Sequence, residues 1–221
     1  MLNLVLKDFL VQKKTFLMAF IYSIFFFVVF SNPAYRDIVY AVGSVAIGYI
    51  FISYATTWDD KNDSEIMLNS LPVVRKDIVM ARYVFAILVS LLGTVIMALT
   101  GIVINIAGFM ELRYIALRDF AISLFMISIF VSLYLPIHYK FKHHERYFRI
   151  ILFLLGFFIP QYLVDYIKSN SDSASSTLIM VLNLLAKLSD LQLDMLLVIM
   201  SLLLMAVSMA VSLAIYNNKE F

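Results

Sequence analysis

Cysteine is absent from the 221-residue chain, and glycine and proline are scarce, with 6 and 4 residues. Without cysteine there is no disulfide, thiolate metal site or thiol redox centre. None of the glycines lies in a G-x-x-x-x-G-K-[S/T] loop, so the chain has no phosphate-binding loop of this type. Charge is low as well, with 14% charged against 63% hydrophobic residues and a formal net charge of +2. This composition excludes a water-soluble globule and gives no indication of a nucleic-acid partner.

Uncharged hydrophobic runs divide the sequence into candidate membrane spans. They cover residues 15–31, 38–58, 84–107, 120–139, 150–164 and 195–216. A helix needs about 20 apolar residues to cross a roughly 30 Å hydrocarbon layer, and backbone polar groups in lipid must be bonded within the helix. The sequence therefore predicts an all-α integral membrane protein, a bundle of six transmembrane helices. A further run at 178–188 is too short to cross and is expected to be interfacial or re-entrant.

The loops between these runs predict the orientation. Of the 17 lysines and arginines, 12 fall on one side, in residues 1–14, 59–83, 140–149 and the C-terminal tail, and 5 fall on the other. Because basic loops stay in the cytoplasm, both termini are expected to be cytoplasmic in the cell membrane. Lys13 and Lys14 precede the first run as in a signal peptide, but no small-x-small cleavage site follows Phe30, so this run is expected to be a retained first span.

Residues 1–14 have the pattern of a short basic amphipathic helix. On a helical projection one face is apolar, with Leu2, Val5, Leu6, Phe9 and Leu10. The residues away from it are Asn3, Lys7, Asp8 and Lys14. Such a helix is expected to lie in the inner headgroup layer and to direct its lysines at anionic lipid. The alternative is an ordinary positively charged start to the first span.

Between the second and third spans, residues 59–77 predict a small cytoplasmic element. Asp60, Asn62 or Asp63 can cap a helix, and Ser64 to Ser70 is expected to form about two turns before Pro72 ends it. The element is too short to bury its own apolar side chains, which are Ile66, Met67, Leu68 and Leu71. This surface suits docking on a soluble partner, and the alternative is a helix packed on the membrane or on its own bundle.

The run from Glu65 to Tyr83, EIMLNSLPVVRKDIVMARY, resembles the short permeases of the ABC type-2 transporter family of Gram-positive bacteria. Their pattern at this place has the form E-x-x-L-x-S-L-P-x-x-R-x-x-I-V-x-A-R-Y. The six-span plan with an amphipathic N-terminal helix extends the similarity over the chain.

The resemblance implies a permease that pairs with a separate ATP-binding cassette ATPase, which would hold ATP and magnesium, while this chain holds no cofactor. It implies that residues 59–77 couple the two proteins. The residues assigned to this role are Glu65, Ile66, Met67, Leu68, Asn69, Ser70, Leu71, Pro72 and Arg75. It also implies a second permease chain, identical or different, a translocation path between the two bundles, and an outer helical hairpin within 168–194. The expected cargo is exported and is a peptide toxin, an antimicrobial peptide, an antibiotic or a lipid.

The resulting single permease domain is divided into 1–14, 15–58, 59–77, 78–167, 168–194 and 195–221. Polar residues inside spans are costly, so they either bond to a neighbouring helix or line a substrate path. These are Thr56, Thr57, Thr94, Thr100, Asn105 and Gln161. Arg82, at the inner mouth of the third span, is expected to reach headgroups or water and is assigned no function.

No catalytic or metal-binding residues are predicted. The three histidines, His138, His143 and His144, lack the i, i+4 spacing of a zinc helix. An intramembrane enzyme would need paired carboxylates, a metal cluster or a Ser/His pair, none of which the spans suggest. The other alternative is the membrane-embedded substrate-binding subunit of a vitamin or metal uptake transporter. It would need a polar outer pocket, for which the outer loops offer little beyond Glu111, Arg113 and Arg118.

Overall fold

The structure is a computed structural model that describes residues 2–30, 38–62, 64–70, 73–141, 148, 150–151, 154 and 188–218. In this part of the chain the regular elements are all α-helices, as the sequence predicts. They are α1 (Leu2–Val11), α2 (Lys13–Val29), α3 (Val39–Lys61), α4 (Ser64–Ser70), α5 (Arg75–Ile106), α6 (Leu117–Lys140) and α7 (Asp190–Asn217).

Four helices within the described ranges are long and apolar enough to cross a membrane: α3, α5, α6 and α7. Helices α1 and α2 are bent by 63° at their junction and would add a fifth crossing if the pair forms one span. Five of the predicted runs thus coincide with helices, and the chain is a helical membrane protein. Most of the predicted fifth span, 150–164, and residues 178–187 of the predicted re-entrant helix lie outside the described residues. The count of six spans therefore stays a prediction.

Among the described helices, α6 and α7 form the most extensive pair, and they run parallel. At one end Arg118 Nη1 lies 3.2 Å from Asp190 Oδ1, and at the other the rings of Tyr139 and Tyr216 meet edge to face at 5.2 Å. Between these ends Ser208 Oγ donates to the carbonyl of Ser132 at 2.8 Å. Lys140, at the end of α6, and Asp190, at the start of α7, therefore lie at opposite ends of the bundle.

A stripe of small polar residues allows α7 to approach its neighbours closely. Its fully buried or nearly buried members include Ser201, Ser208 and Ser212. The hydroxyl of Tyr83, on α5, lies 2.7 Å from Ser208 Oγ and 2.8 Å from Ser212 Oγ. Small residues bring membrane helices together, and their hydroxyls bond across the interface. This stripe ties α5, α6 and α7 together.

Helices α3 and α5 also approach closely, at glycines. A Cβ added to Gly93 would lie 2.8 Å from the carbonyl oxygen of Ser44, and one added to Gly101 would overlap the Tyr40 hydroxyl. The glycines meet side chains and backbone of the other helix instead of forming a G-x-x-x-G motif on one helix. For this reason the sequence spacing gives little sign of the contact.

The end of the bundle that carries α1 and α4 is called here the α4 end; the loop between α5 and α6 lies at the opposite end. That loop is held by polar contacts. The Asn105 amide accepts from the Leu112 N–H at 2.7 Å and donates to the Leu112 carbonyl at 3.0 Å. Gly108 supplies the turn with a φ of 69°, which glycine adopts without strain. Arg113 pairs through two nitrogens with the buried Asp119, at 2.6 and 2.7 Å.

The structure corrects the predicted faces of α1. Val5 and Asp8 are buried against the bundle, whereas Leu2, Leu6 and Leu10 point away from it and are exposed. The predicted apolar face is therefore divided: part packs on the protein, and the rest forms an exposed apolar edge. Such an edge suits the boundary between headgroups and acyl chains, because lipid there would cover the exposed leucine side chains and remove them from water.

Candidate functional site at the α4 end

Helix α4 begins and ends where the sequence predicts, at Ser64 and Ser70. Of the three residues predicted as its cap, Asn62 donates its amide back to the carbonyl of Trp58 at 2.8 Å and so closes α3, and Asp63 lies outside the described residues. The cap therefore stays a prediction, and α4 packs against α3. Of the residues predicted for this segment, Leu71 and Pro72, together with the side chains of Glu65, Ile66 and Asn69, lie outside the described residues.

Met67 and Leu68 differ in burial although they are neighbours on α4. Leu68 is buried, with 6% of its surface exposed, and Met67 is 57% exposed. Leu68 belongs to the buried cluster that also holds Ile78, Tyr139 and Tyr216. It borders a small cavity of about 20 Å³, whose other lining residues are Asp59, Asp60, Ile78, Arg82, His138 and Tyr139. The expected docking surface is thus divided: Leu68 anchors α4 to the bundle, and Met67 faces away from it.

Four charged side chains from three helices meet beside α4, and we call them the charge cluster: Lys7 and Asp8 of α1, Asp59 of α3 and Arg82 of α5. Arg82 Nη1 contacts Asp8 Oδ2 at 2.9 Å, and its Nη2 contacts Asp59 Oδ2. Lys7 Nζ lies 3.0 Å from Asp59 Oδ1 and 3.3 Å from Asp8 Oδ1. The cluster joins the interfacial helix to the ends of two spanning helices.

The charge cluster is largely shielded from water. The side chains of Asp8, Arg82 and Asp59 are 5%, 11% and 14% exposed. Burial and the nearby Arg82 guanidinium lower the pKa of Lys7, while the Asp8 carboxylate opposes that shift. Two cations and two anions neutralise one another here, which makes their burial tolerable. Removing one member would leave a buried charge without compensation.

Arg75, assigned from the sequence to ATPase coupling, contacts the last helix. Its Nη1 donates to the carbonyl of Asn217 at 2.8 Å and lies 3.5 Å from that of Tyr216. These carbonyls lie at the end of α7, beyond the last regular i+4 bonds of the helix. Arg75 therefore fastens the start of α5 to the end of α7.

The threonines predicted for a substrate path bond within the protein. Thr56 is buried and accepts from the Tyr134 hydroxyl at 2.8 Å. Thr57 donates to the carbonyl of Ser53, one turn earlier in its own helix, at 2.7 Å. Thr94 and Thr100 are buried and bond to carbonyls of α5. Thr100 also borders an apolar groove of about 360 Å³ between α2 and α5.

The two remaining candidates for that path are separated from these threonines. Asn105 organises the loop at the opposite end through its bonds to Leu112. Gln161 lies outside the described residues. The described candidates are therefore not gathered at one place, and their polar groups serve the bundle.

Sequence reasoning missed the function of two residues at the α4 end. Asp8 was expected on a solvated polar face, and Arg82 was left without a role. A buried acid on an interfacial helix and an arginine at a helix mouth both look ordinary along the sequence. Three separate segments meet in this cluster, so no local spacing could have revealed it.

Together the fold and the α4 end define an α-helical membrane protein with a short helix set beneath its spans. A sequence model of the family described as ABC-2 family transporter protein matches residues 3–217, nearly the whole chain. The chain belongs to this family. No curated protein and no solved structure is significantly similar to it.

Proposed function

We propose that this chain is the permease subunit of an ATP-driven exporter. Members of its family associate with an ATP-binding cassette partner. Here α4 would sit on that partner, with the α4 end and both termini in the cytoplasm. ATP and magnesium would bind the partner. Nothing in this permease would be catalytic.

The observation that carries the proposal is the division of α4 into an anchored face and an exposed face. Leu68 is buried in the bundle while Met67, the preceding residue, is exposed. A helix of two turns held in this way can transmit the movement of a docked partner to the spanning helices. Beside it, the charge cluster joins α1, α3 and α5 to one another.

Two such permeases, identical or different, would form the translocation path between their bundles. The cargo would be amphipathic or hydrophobic: a peptide toxin, an antimicrobial peptide, an antibiotic or a lipid. The apolar composition supports a path without a polar binding pocket. Closure of the ATPases would move α4 and favour one of two bundle arrangements, provided that the ATPase interacts differently with the two.

The test begins with co-purification of the tagged chain with the ATPase encoded beside its gene, followed by an ATP hydrolysis assay. Met67→Asp is the diagnostic variant. If Met67 docks on the ATPase, its loss removes about 1.5–3 kcal/mol of apolar burial and weakens the complex about tenfold to a hundredfold. The insertion and stability of the permease should stay unchanged.

Two controls accompany Met67→Asp. Tyr114→Asp alters a side chain that is 78% exposed at the opposite end, and it should leave the complex intact. Leu68→Ala should destabilise the permease itself, because it creates a cavity in a buried cluster. Unchanged ATPase binding by Met67→Asp would refute the docking face, and a wild-type chain that binds no ATPase would refute the permease proposal.

A further inference from the structure

The start of α5 and the end of α7 are joined by a contact that the proposed function does not require. Arg75 is the first residue of α5, and its guanidinium donates to the carbonyl of Asn217 at 2.8 Å. Within α7 itself, none of the last-turn residues is basic. A cation at a helix C-terminus stabilises the unpaired carbonyls and the helix dipole. In this protein another helix provides that cation.

The contact continues into buried packing. Tyr216 is fully buried, and its ring meets Tyr139 edge to face. Both belong to the cluster that contains Leu68, the anchor of α4. One side of this cluster therefore touches α4 and the other touches the end of α7.

Farther along α7, the attachment to α5 is repeated. The Tyr83 hydroxyl lies within 2.8 Å of both Ser208 and Ser212. Tyr83 is two turns beyond Arg75 on the same helix, so two anchor points on α5 hold α7. The contact at the opposite end of α7, between Arg118 and Asp190, is exposed, and an exposed ion pair contributes little.

We propose that Arg75 is a positioning residue that makes the last helix follow the coupling segment. Movement of α4 and of the start of α5 would carry the end of α7 with it through the guanidinium. This inference rests on the proposed function, because the movement would come from the ATPase. It adds a route by which that movement reaches α7.

The absence of cysteine from the sequence allows a direct test with introduced labels. Ser70→Cys and Asn218→Cys place spin labels on two exposed residues, at the ends of α4 and α7. Electron–electron distance distributions are measured for the full chain in lipid nanodiscs. We expect a narrow distribution for the wild-type background and for Arg75→Lys, whose ammonium can still donate to a carbonyl, and a broad one for Arg75→Met, which has no donor. The matched control, Arg118→Gln, should stay narrow.

The second measurement uses the same labels in the complex with the ATPase, with and without a non-hydrolysable ATP analogue. In the wild type, α4 and α7 move together, so their distance stays constant. In Arg75→Met, α4 moves without α7, so the distance becomes nucleotide-dependent while ATP hydrolysis continues. A purely structural defect would broaden the distribution equally in both nucleotide states.

An Arg75→Met distribution that matches the wild type, in the isolated chain or in both nucleotide states of the complex, would overturn the proposal. Failure of the proposed function would look different, because the wild-type chain would then bind no ATPase. The measurement on the isolated chain would still decide whether Arg75 fixes α7 to α4.

Discussion

Replacing Arg82 by glutamine should be among the most damaging single changes at the α4 end. The guanidinium contacts Asp8 through one nitrogen and Asp59 through the other. Both carboxylates are largely buried, so they would lose their main counter-charge without gaining water. Breaking a buried ion pair by removing one partner costs about 3–5 kcal/mol. Lys7 still lies 3.0 Å from Asp59 and compensates part of the charge, so we expect the lower end of this range, about 3 kcal/mol.

The chain contains a suitable reporter for this measurement. Trp58 is its one tryptophan and directly precedes Asp59, so its fluorescence follows the unfolding of this region in mixed micelles with increasing denaturing detergent. Arg118→Gln is the matched control, because it removes an arginine from an exposed pair with Asp190. Exposed pairs are worth about 0–1 kcal/mol.

A double-mutant cycle identifies the interaction itself. Asp8→Asn should cost clearly less in the Arg82→Gln background than in the wild type, with a coupling free energy of about 1–3 kcal/mol. Arg82→Lys should lie between the wild type and Arg82→Gln, because one ammonium cannot reproduce the two-nitrogen contact. The reasoning is refuted if Arg82→Gln destabilises the protein no more than Arg118→Gln, or if the cycle shows additivity.

Three further variants test the packing by the same unfolding assay. Gly93→Ala should destabilise the bundle by about 1–3 kcal/mol, because the new Cβ meets the Ser44 carbonyl, which cannot rotate away. This cost is expected to exceed the stabilisation of about 1 kcal/mol that alanine gains over glycine in helix propensity. Asp119→Asn keeps the shape but removes the charge that Arg113 contacts, and should cost about 3 kcal/mol since this carboxylate is buried. Tyr83→Phe removes one hydroxyl that bonds to two serines of α7, and should cost about 0.6–1.7 kcal/mol, the range measured for bonds between membrane helices.

Each of these variants has an outcome that contradicts its rationale. A neutral or stabilising Gly93→Ala would mean that α3 and α5 separate easily at this contact. An Asp119→Asn variant as stable as the wild type would mean that Arg113 gains nothing from the carboxylate. Tyr22→Phe, which alters an exposed tyrosine of α2, is the control for Tyr83→Phe, and equal losses in the two would show that the α5–α7 hydroxyl contact is not responsible.

Much of the helical plan could be predicted because each helix is determined locally. The hydrophobic runs coincide with α2, α3, α5, α6 and α7, and the polar segment between the second and third runs gave the bounds of α4. Spans must satisfy their backbone bonds internally, so length and composition suffice to locate them. The motif around this segment also led to the family, which the match over residues 3–217 confirms.

The sequence predicted less well which side each short helix presents. Leu68 and Met67 look equivalent along the chain, yet one is buried in the bundle and the other exposed. Val5 and Leu6 were placed on one apolar face of α1, and the structure separates them. A helical projection shows that a face is apolar, but it cannot tell whether protein or lipid covers it.

The sequence by itself determined that this protein lies in a membrane, that it is built from helices, and which family it belongs to, because hydrophobic length and a local motif are properties of neighbouring residues. Only the tertiary structure decided that Asp8, Asp59 and Arg82 meet and that Arg75 holds the end of α7. Those contacts join residues 23 to 142 positions apart. Their partners are chosen by the packing of whole helices, which no spacing along the chain records.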